Sequence, residues 1–141
     1  HAELKLHDGK VWVIEIAGRS IGGLCASVLR FSGIPLEEIL LLQALGRELP
    51  PLERDGSAVG VRMLYPPRAG KLRVVEGLDM VESIDGVTGV RITAHRGQML
   101  VPPPDGGMYL GFIFGAGETP EAVVQALTLA ASKLDVVMRQ S

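Results

Sequence analysis

Hydrophobic and polar positions alternate from the first residues of the chain. Ala2, Leu4 and Leu6 interleave with Glu3, Lys5 and His7; after Asp8-Gly9, Trp12, Ile14 and Ile16 interleave with Val11, Val13 and Glu15. A period of two on either side of a two-residue Asp-Gly loop predicts a β-hairpin with one apolar face. If Leu4 and Leu6 share that face with Trp12, Ile14 and Ile16, paired residue numbers sum to an even value. Glu3 and Glu15 then lie on the same face and, in the tightest such register, directly opposite each other.

Beyond the hairpin the period changes. Gly18 to Gly23 reads as a loop, and Leu24 to Phe31 as a short helix ending at Ser32-Gly33. Ile34-Pro35 opens a second helix, Leu36 to Leu45. Glu37 and Glu38 stand in its first turn, where the helix dipole favours anions, and Gly46 follows as its C-cap. Residues 47–57 are polar and proline-bearing and mark a boundary between two domains, 1–50 and 51–141.

The second domain predicts strands over Val59 to Tyr65, Lys71 to Val75, Val87 to Ala94 and Tyr109 to Phe114, with a short helix near Leu78 to Ser83. Pro102 to Gly107 forms a loop that is stiff, then flexible. Thr119 caps a last helix with Pro120 in its first turn. Val123, Leu127, Ala130, Ala131, Leu134 and Met138 supply its buried stripe. The expected fold class is α+β: a hairpin and two helices, then a β-β-α-β-β-α unit on an antiparallel or mixed sheet.

Composition narrows the function classes. At 141 residues the chain fits one ordinary domain or two small ones, and 47% hydrophobic against 21% charged residues argues against disorder. A net charge of −2 and scattered basic residues argue against nucleic acid as a partner, and few aromatics argue against base stacking. No apolar run approaches the ~20 residues that span a bilayer, so no membrane partner is expected. Cys25 is the only cysteine, which excludes an internal disulfide and a thiolate zinc site and suits a cytoplasmic protein. The chain begins at His1, immediately before strand-like alternation, and reads as a cut made inside a longer protein.

The candidate chemistry sits in the hairpin. Two carboxylates opposite each other repel. Either both face bulk water, or Lys5 and another base pair with them, or a divalent cation lies between them; hard cations take carboxylate oxygens and leave other positions to water and phosphate. Arg19, four residues after Glu15, precedes Gly22-Gly23 at a helix start, which reads either as an anion cradle or as a C-capping arginine followed by turn glycines. Cys25 reads as a small buried residue rather than a nucleophile, and His7 and His95, with no carboxylate or cysteine at triad or zinc spacing, read as surface histidines.

The stretch His1-Ala2-Glu3-Leu4-Lys5-Leu6, with Val13-Ile14-Glu15-Ile16-Ala17-Gly18-Arg19-Ser20-Ile21-Gly22-Gly23, resembles the end of the catalytic lobe of ATP-grasp enzymes. Tyr109 to Phe114, followed by Gly117-Glu118-Thr119-Pro120-Glu121-Ala122, is similar to the C-terminal domain of their L-amino acid ligase branch. The resemblance implies a carboxylate–amine ligase working through an acyl-phosphate. It implies Glu3 and Glu15 as ligands of Mg²⁺ (or Mn²⁺), Arg19 as a catalytic contact to the ATP phosphate, and Gly22 and Gly23 shaping the loop against a small carboxylate or amino-acid substrate. Many family members carry Asn where this chain has Ala17, which removes one metal contact. No phosphate-covering Gly-rich loop and no lysine-bearing nucleotide strands are present, so the chain by itself is expected to be inactive, with the N-terminal portion of the enzyme as its partner. The alternative is a non-catalytic binding or oligomerisation module on the same scaffold, forming a homo-oligomer.

Overall fold

The computed structural model describes residues 1–139. Gln140 and Ser141, the last positions of the expected second domain, lie outside the described residues.

Strands β1 (Ala2–His7) and β2 (Lys10–Ile16) form the expected antiparallel hairpin. Asp8 and Gly9 both take positive φ (49° and 69°), the turn whose twist matches that of the flanking strands. The faces differ from those expected. A two-residue turn pairing His7 with Lys10 forces an odd register, so Leu4 faces Val13, Lys5 faces Trp12 and Leu6 faces Val11. The register then shifts by one residue, leaving Ile14 without a partner, and Glu3 meets Glu15. Trp12 therefore shares the face of Glu3, Lys5 and Glu15, while Val11 and Val13 join Leu4 and Leu6.

The expected helix over Leu24 to Phe31 is not formed. A single 3-10 turn, Cys25–Val28, is followed by a tight hairpin of β3 (Arg30–Phe31) and β4 (Ile34–Pro35). Ser32 and Gly33, read as a helix end, have positive φ (51° and 81°) and make its turn. Helix α1 (Leu36–Ala44) follows as expected. It ends in a Schellman motif: Arg47 N–H donates to Leu42 C=O at 2.9 Å and Gly46 N–H to Gln43 C=O at 3.0 Å, with Gly46 at φ 63°.

The remainder contains β5 (Ala58–Leu64), β6 (Gly70–Glu76), α2 (Leu78–Glu82), β7 (Val87–Ile92), β8 (Met99–Leu100), β9 (Gly111–Gly117), α3 (Pro120–Ser132) and β10 (Asp135–Arg139). Two antiparallel three-stranded sheets result, ordered β5-β9-β7 and β10-β6-β8. The fold class is α+β with antiparallel sheets, as expected, but this part has two strands, β8 and β10, more than the pattern showed. The final helix stops at Ser132, and Met138 lies on β10. A spacing of four residues, as between Leu134 and Met138, fits a helix and also keeps both on one face of a strand, so periodicity there was ambiguous. The adjacent β-branched pair Val136-Val137 favours the strand.

The core belongs to this second part: Leu64, Leu72, Val81, Leu100, Leu110, Ile113, Val123, Leu127, Ala130 and Met138. Helix α3, capped by Thr119 Oγ1 accepting from Ala122 N–H at 3.2 Å, lies over β5 and β9. Its approach is set by glycines paired across those strands, Gly60 and Gly115. A Cβ at Gly60 would sit 2.9 Å from Val123 Cγ1, and one at Gly115 3.1 Å from Leu127 Cδ2. Gly60→Val should lower the unfolding free energy by about 1–3 kcal/mol through overpacking. The denaturant midpoint reads this, and an unchanged midpoint would show that α3 is free to lift off.

Candidate functional site

The first part of the chain has almost no interior of its own; among its residues only Ala26 and Ile39 are buried hydrophobics. Two links tie it to the core. The first is the turn after Gly22-Gly23, which packs on β5: Gly23, at φ 64°, comes so near Met63 that a Cβ would lie 2.7 Å from the methionine methyl. The second is the segment 51–55, held along the β3–β4 hairpin. Ser32 N–H donates to Glu53 C=O at 2.8 Å, Ser32 Oγ to Pro51 C=O at 2.9 Å, and Gly33 N–H to Asp55 Oδ1 at 3.2 Å.

At the open end of β1–β2 the structure brings Glu3 opposite Glu15, and the Arg19 guanidinium Nη2 lies 3.7 Å from Glu15 Oε1. His1 Nε2 lies 3.7 Å from Glu3 Oε1, and its Nδ1 is buried without a hydrogen-bond partner. The His1 amino group donates to the carbonyls of Ala17 (3.0 Å) and Arg19 (2.8 Å), joining the two strand ends. The side chains of Glu3, Glu15 and Arg19 are each about half exposed (50%, 53% and 53%). Pairs that wet contribute about 0–1 kcal/mol, so stability does not require this cluster. Among the described residues no three His, Cys, Asp or Glu side chains converge to enclose a metal ion. Two adjacent, solvent-reaching carboxylates nevertheless match the donor set of Mg²⁺, which takes one or two carboxylates and fills its remaining positions with water and phosphate.

Gly22 and Gly23 lie beyond Arg19, where Gly22 C=O accepts from Cys25 N–H at 3.2 Å. Gly23 borders a groove of about 400 Å³ whose other walls come from the second part: Thr93, Gln98, Gly107, Met108, Tyr109 and Phe112, with Leu24. Sequence reasoning did not find these walls. Its one signal was the Pro102 to Gly107 loop, which delivers Met108 and Tyr109. The Tyr109 ring stands 5.3 Å from that of Tyr65 and 5.2 Å from that of Phe112. A larger groove of about 760 Å³ runs beside α3, but its floor is small residues and it holds none of the hairpin side chains. Cys25 Sγ is turned to Gly23 C=O at 3.6 Å, and His7 faces Asp8 at 3.5 Å.

Desolvation, and then the neighbouring Tyr109, hold the Tyr65 phenol above its ordinary range. Folding thus favours the neutral phenol, and this contribution to stability is present below the ordinary tyrosine pKa and lost as pH rises through the raised one. Tyr109→Phe should move the Tyr65 titration, read by ¹³Cζ NMR, toward lower pH while desolvation keeps part of the shift. An unmoved titration would remove Tyr109 as a cause.

Among the described residues no helix is long and apolar enough to cross a membrane. The family model of the L-amino acid ligase C-terminal domain 2 matches residues 62–139. Over 99% of its length the chain is similar to the L-amino acid ligase from Bacillus licheniformis, with 25% identity and a TM-score of 0.81, covering 36% of that chain. The phosphoribosylglycinamide synthetase from Anaerococcus prevotii (16% identity, TM-score 0.74) and the N5-carboxyaminoimidazole ribonucleotide synthetase from Thermotoga maritima (16%, 0.67) share the fold. Each is matched over 98% of this chain and 36% of its own. A search of curated proteins finds no match. The chain thus spans about a third of the length of these solved relatives, and it belongs to the L-amino acid ligase C-terminal domain 2 family, the C-terminal part of an ATP-grasp ligase.

Proposed function

We propose that the chain supplies one corner of the active site of an ATP-dependent carboxylate–amine ligase that joins an amino acid to an amine through an acyl-phosphate. Residues 1–50 are the end of the catalytic lobe in this reading, and residues 51–141 a C-terminal domain that supports it. The observation that carries it is the juxtaposition of Glu3, Glu15 and Arg19 at one hairpin end, in a chain superposable almost throughout on an L-amino acid ligase.

Glu3 and Glu15 would hold Mg²⁺ or Mn²⁺, which supplies charge neutralisation on the ATP phosphates when bound. Arg19, anchored by Glu15, presents its guanidinium to the transferred phosphoryl group and stabilises charge that develops there. Ala17 offers no side-chain ligand, so the two carboxylates carry the metal corner without help from that position. The backbone at Gly22-Gly23, free of side chains, lets the carboxylate substrate approach closely. Phosphoryl transfer needs several positioned elements at once, so the isolated chain has no turnover.

The exposed apolar side chains Leu4, Leu6, Val11, Val13 and Ile16 support the same reading, because a two-stranded ribbon with no covered face is marginal in water. In the intact ligase, Glu15→Gln should lower acid-dependent ADP release by at least about 100-fold, the scale of losing a preorganised charge contact. Its circular dichroism should match the parent's. Near-normal turnover would remove Glu15 from the metal corner.

The same apolar face, with Leu41 exposed on α1 and Leu45 exposed at its C-cap, favours a second reading in which the chain is a self-associating module without chemistry. Light scattering across a concentration series then gives a mass that rises to a dimer or beyond, and a constant mass of 15.0 kDa excludes it.

A further inference from the structure

The groove beside Gly23 is built from both parts of the chain and has a consistent chemistry. Its side chains are Leu24, Thr93, Gln98, Met108, Tyr109 and Phe112. None is an acid, a lysine or an arginine, so a charged group seated there finds no partner of opposite charge. At about 400 Å³ it has room for one amino-acid side chain. Gly23, four residues beyond Arg19, lines it, and the reading above brings the substrate carboxylate to Gly22-Gly23.

The rim is also oriented. Gln98 Oε1 accepts from His95 N–H at 2.8 Å, which fixes the amide and turns Nε2 toward Met108 Sδ at 3.7 Å. A thioether is a weak acceptor, so the amide keeps donor capacity toward a ligand. Thr93 Oγ1 is held only at 3.5 Å from Leu110 C=O. Tyr109 is fixed between Tyr65 and Phe112, which makes the aromatic wall rigid. The opposite wall is Gly23 and Leu24, whose turn packs on the Met63 side chain of β5.

We propose that this groove receives the uncharged side chain of the amino acid whose carboxylate is activated, and that Gln98 and Met108 determine its selectivity. The inference rests on the ligase reading. It makes the C-terminal domain part of substrate recognition in addition to a support for the catalytic lobe.

The test uses the intact ligase with hydroxylamine as the only amine, so that each amino acid acts only as the activated acid and the hydroxamate formed is measured. Leucine and phenylalanine are compared with lysine and glutamate. Gln98→Glu keeps the acceptor for His95 N–H and adds a negative charge. Met108→Glu adds one at a position already 56% exposed, where folding tolerates it. In both variants the ratio of kcat/KM for lysine over leucine should rise by about tenfold or more, carried by KM. An unchanged ratio in both, while Glu15→Gln abolishes hydroxamate formation, would overturn the groove assignment and leave the ligase reading standing. A ratio that moves only when the amine is varied, with the acid held constant, would also overturn it. No hydroxamate from the parent with any acid, or full activity in Glu15→Gln, would overturn both.

Discussion

The closeness of α3 to the β5-β9-β7 sheet is the constraint on which the rest of the chain depends. Gly60 and Gly115 stand opposite each other on neighbouring strands and form a floor without side chains. Val123 and Leu127 descend onto it, and with Ala130 they bring α3 into the one continuous core. Any Cβ on that floor would hold the helix away and open the core beneath it. The same strand β5 carries Met63, on whose side chain the turn at Gly23 packs. That contact and the hydrogen bonds of residues 51–55 to the β3–β4 hairpin join the first part of the chain to the second.

The hairpin is the opposite kind of element. None of its strand residues is buried, and backbone pairing with a well-formed turn is its main local support. Its register shift has a chemical consequence. An unbroken ladder from the Asp8-Gly9 turn would place Glu3 and Glu15 on different faces, because a two-residue turn sets an odd register. One unpaired residue, Ile14, brings the carboxylates together. Bulges are irregularities that re-aim side chains, and here the re-aimed side chains are the candidate metal ligands. A weakly supported hairpin carrying a pair of like charges is costly by itself, and in the proposed reading a bound cation would offset that cost.

Much of this was legible in the residue pattern, for identifiable reasons. The Asp-Gly turn, Gly46 after α1, and Thr119-Pro120 before α3 are local signals whose geometry is dictated by single residues, and each holds in the structure. The Glu15–Arg19 contact was not legible, because a spacing of four brings side chains together on a helix and Glu15 stands on a strand. Ser32-Gly33 carries the same turn grammar as Asp8-Gly9, yet the apolar run before it concealed a two-residue hairpin. Strand β10 was concealed by spacings that serve helix and strand alike, and β8, at two residues, is too short to have a period. The groove walls were illegible for a different reason. Gln98, Met108 and Tyr109 are gathered beside Gly23 by sheet topology, and no local pattern encodes a meeting across more than seventy residues of chain.

The central claim is that Glu3 and Glu15 together form a divalent-cation site in the intact ligase. Its most direct test is anomalous scattering from Mn²⁺ in crystals of that enzyme grown with ADP. The account predicts a peak within coordination distance of both carboxylates, with the nucleotide phosphates on its far side. A Mn²⁺ peak bound to phosphate but out of reach of both glutamates would contradict it.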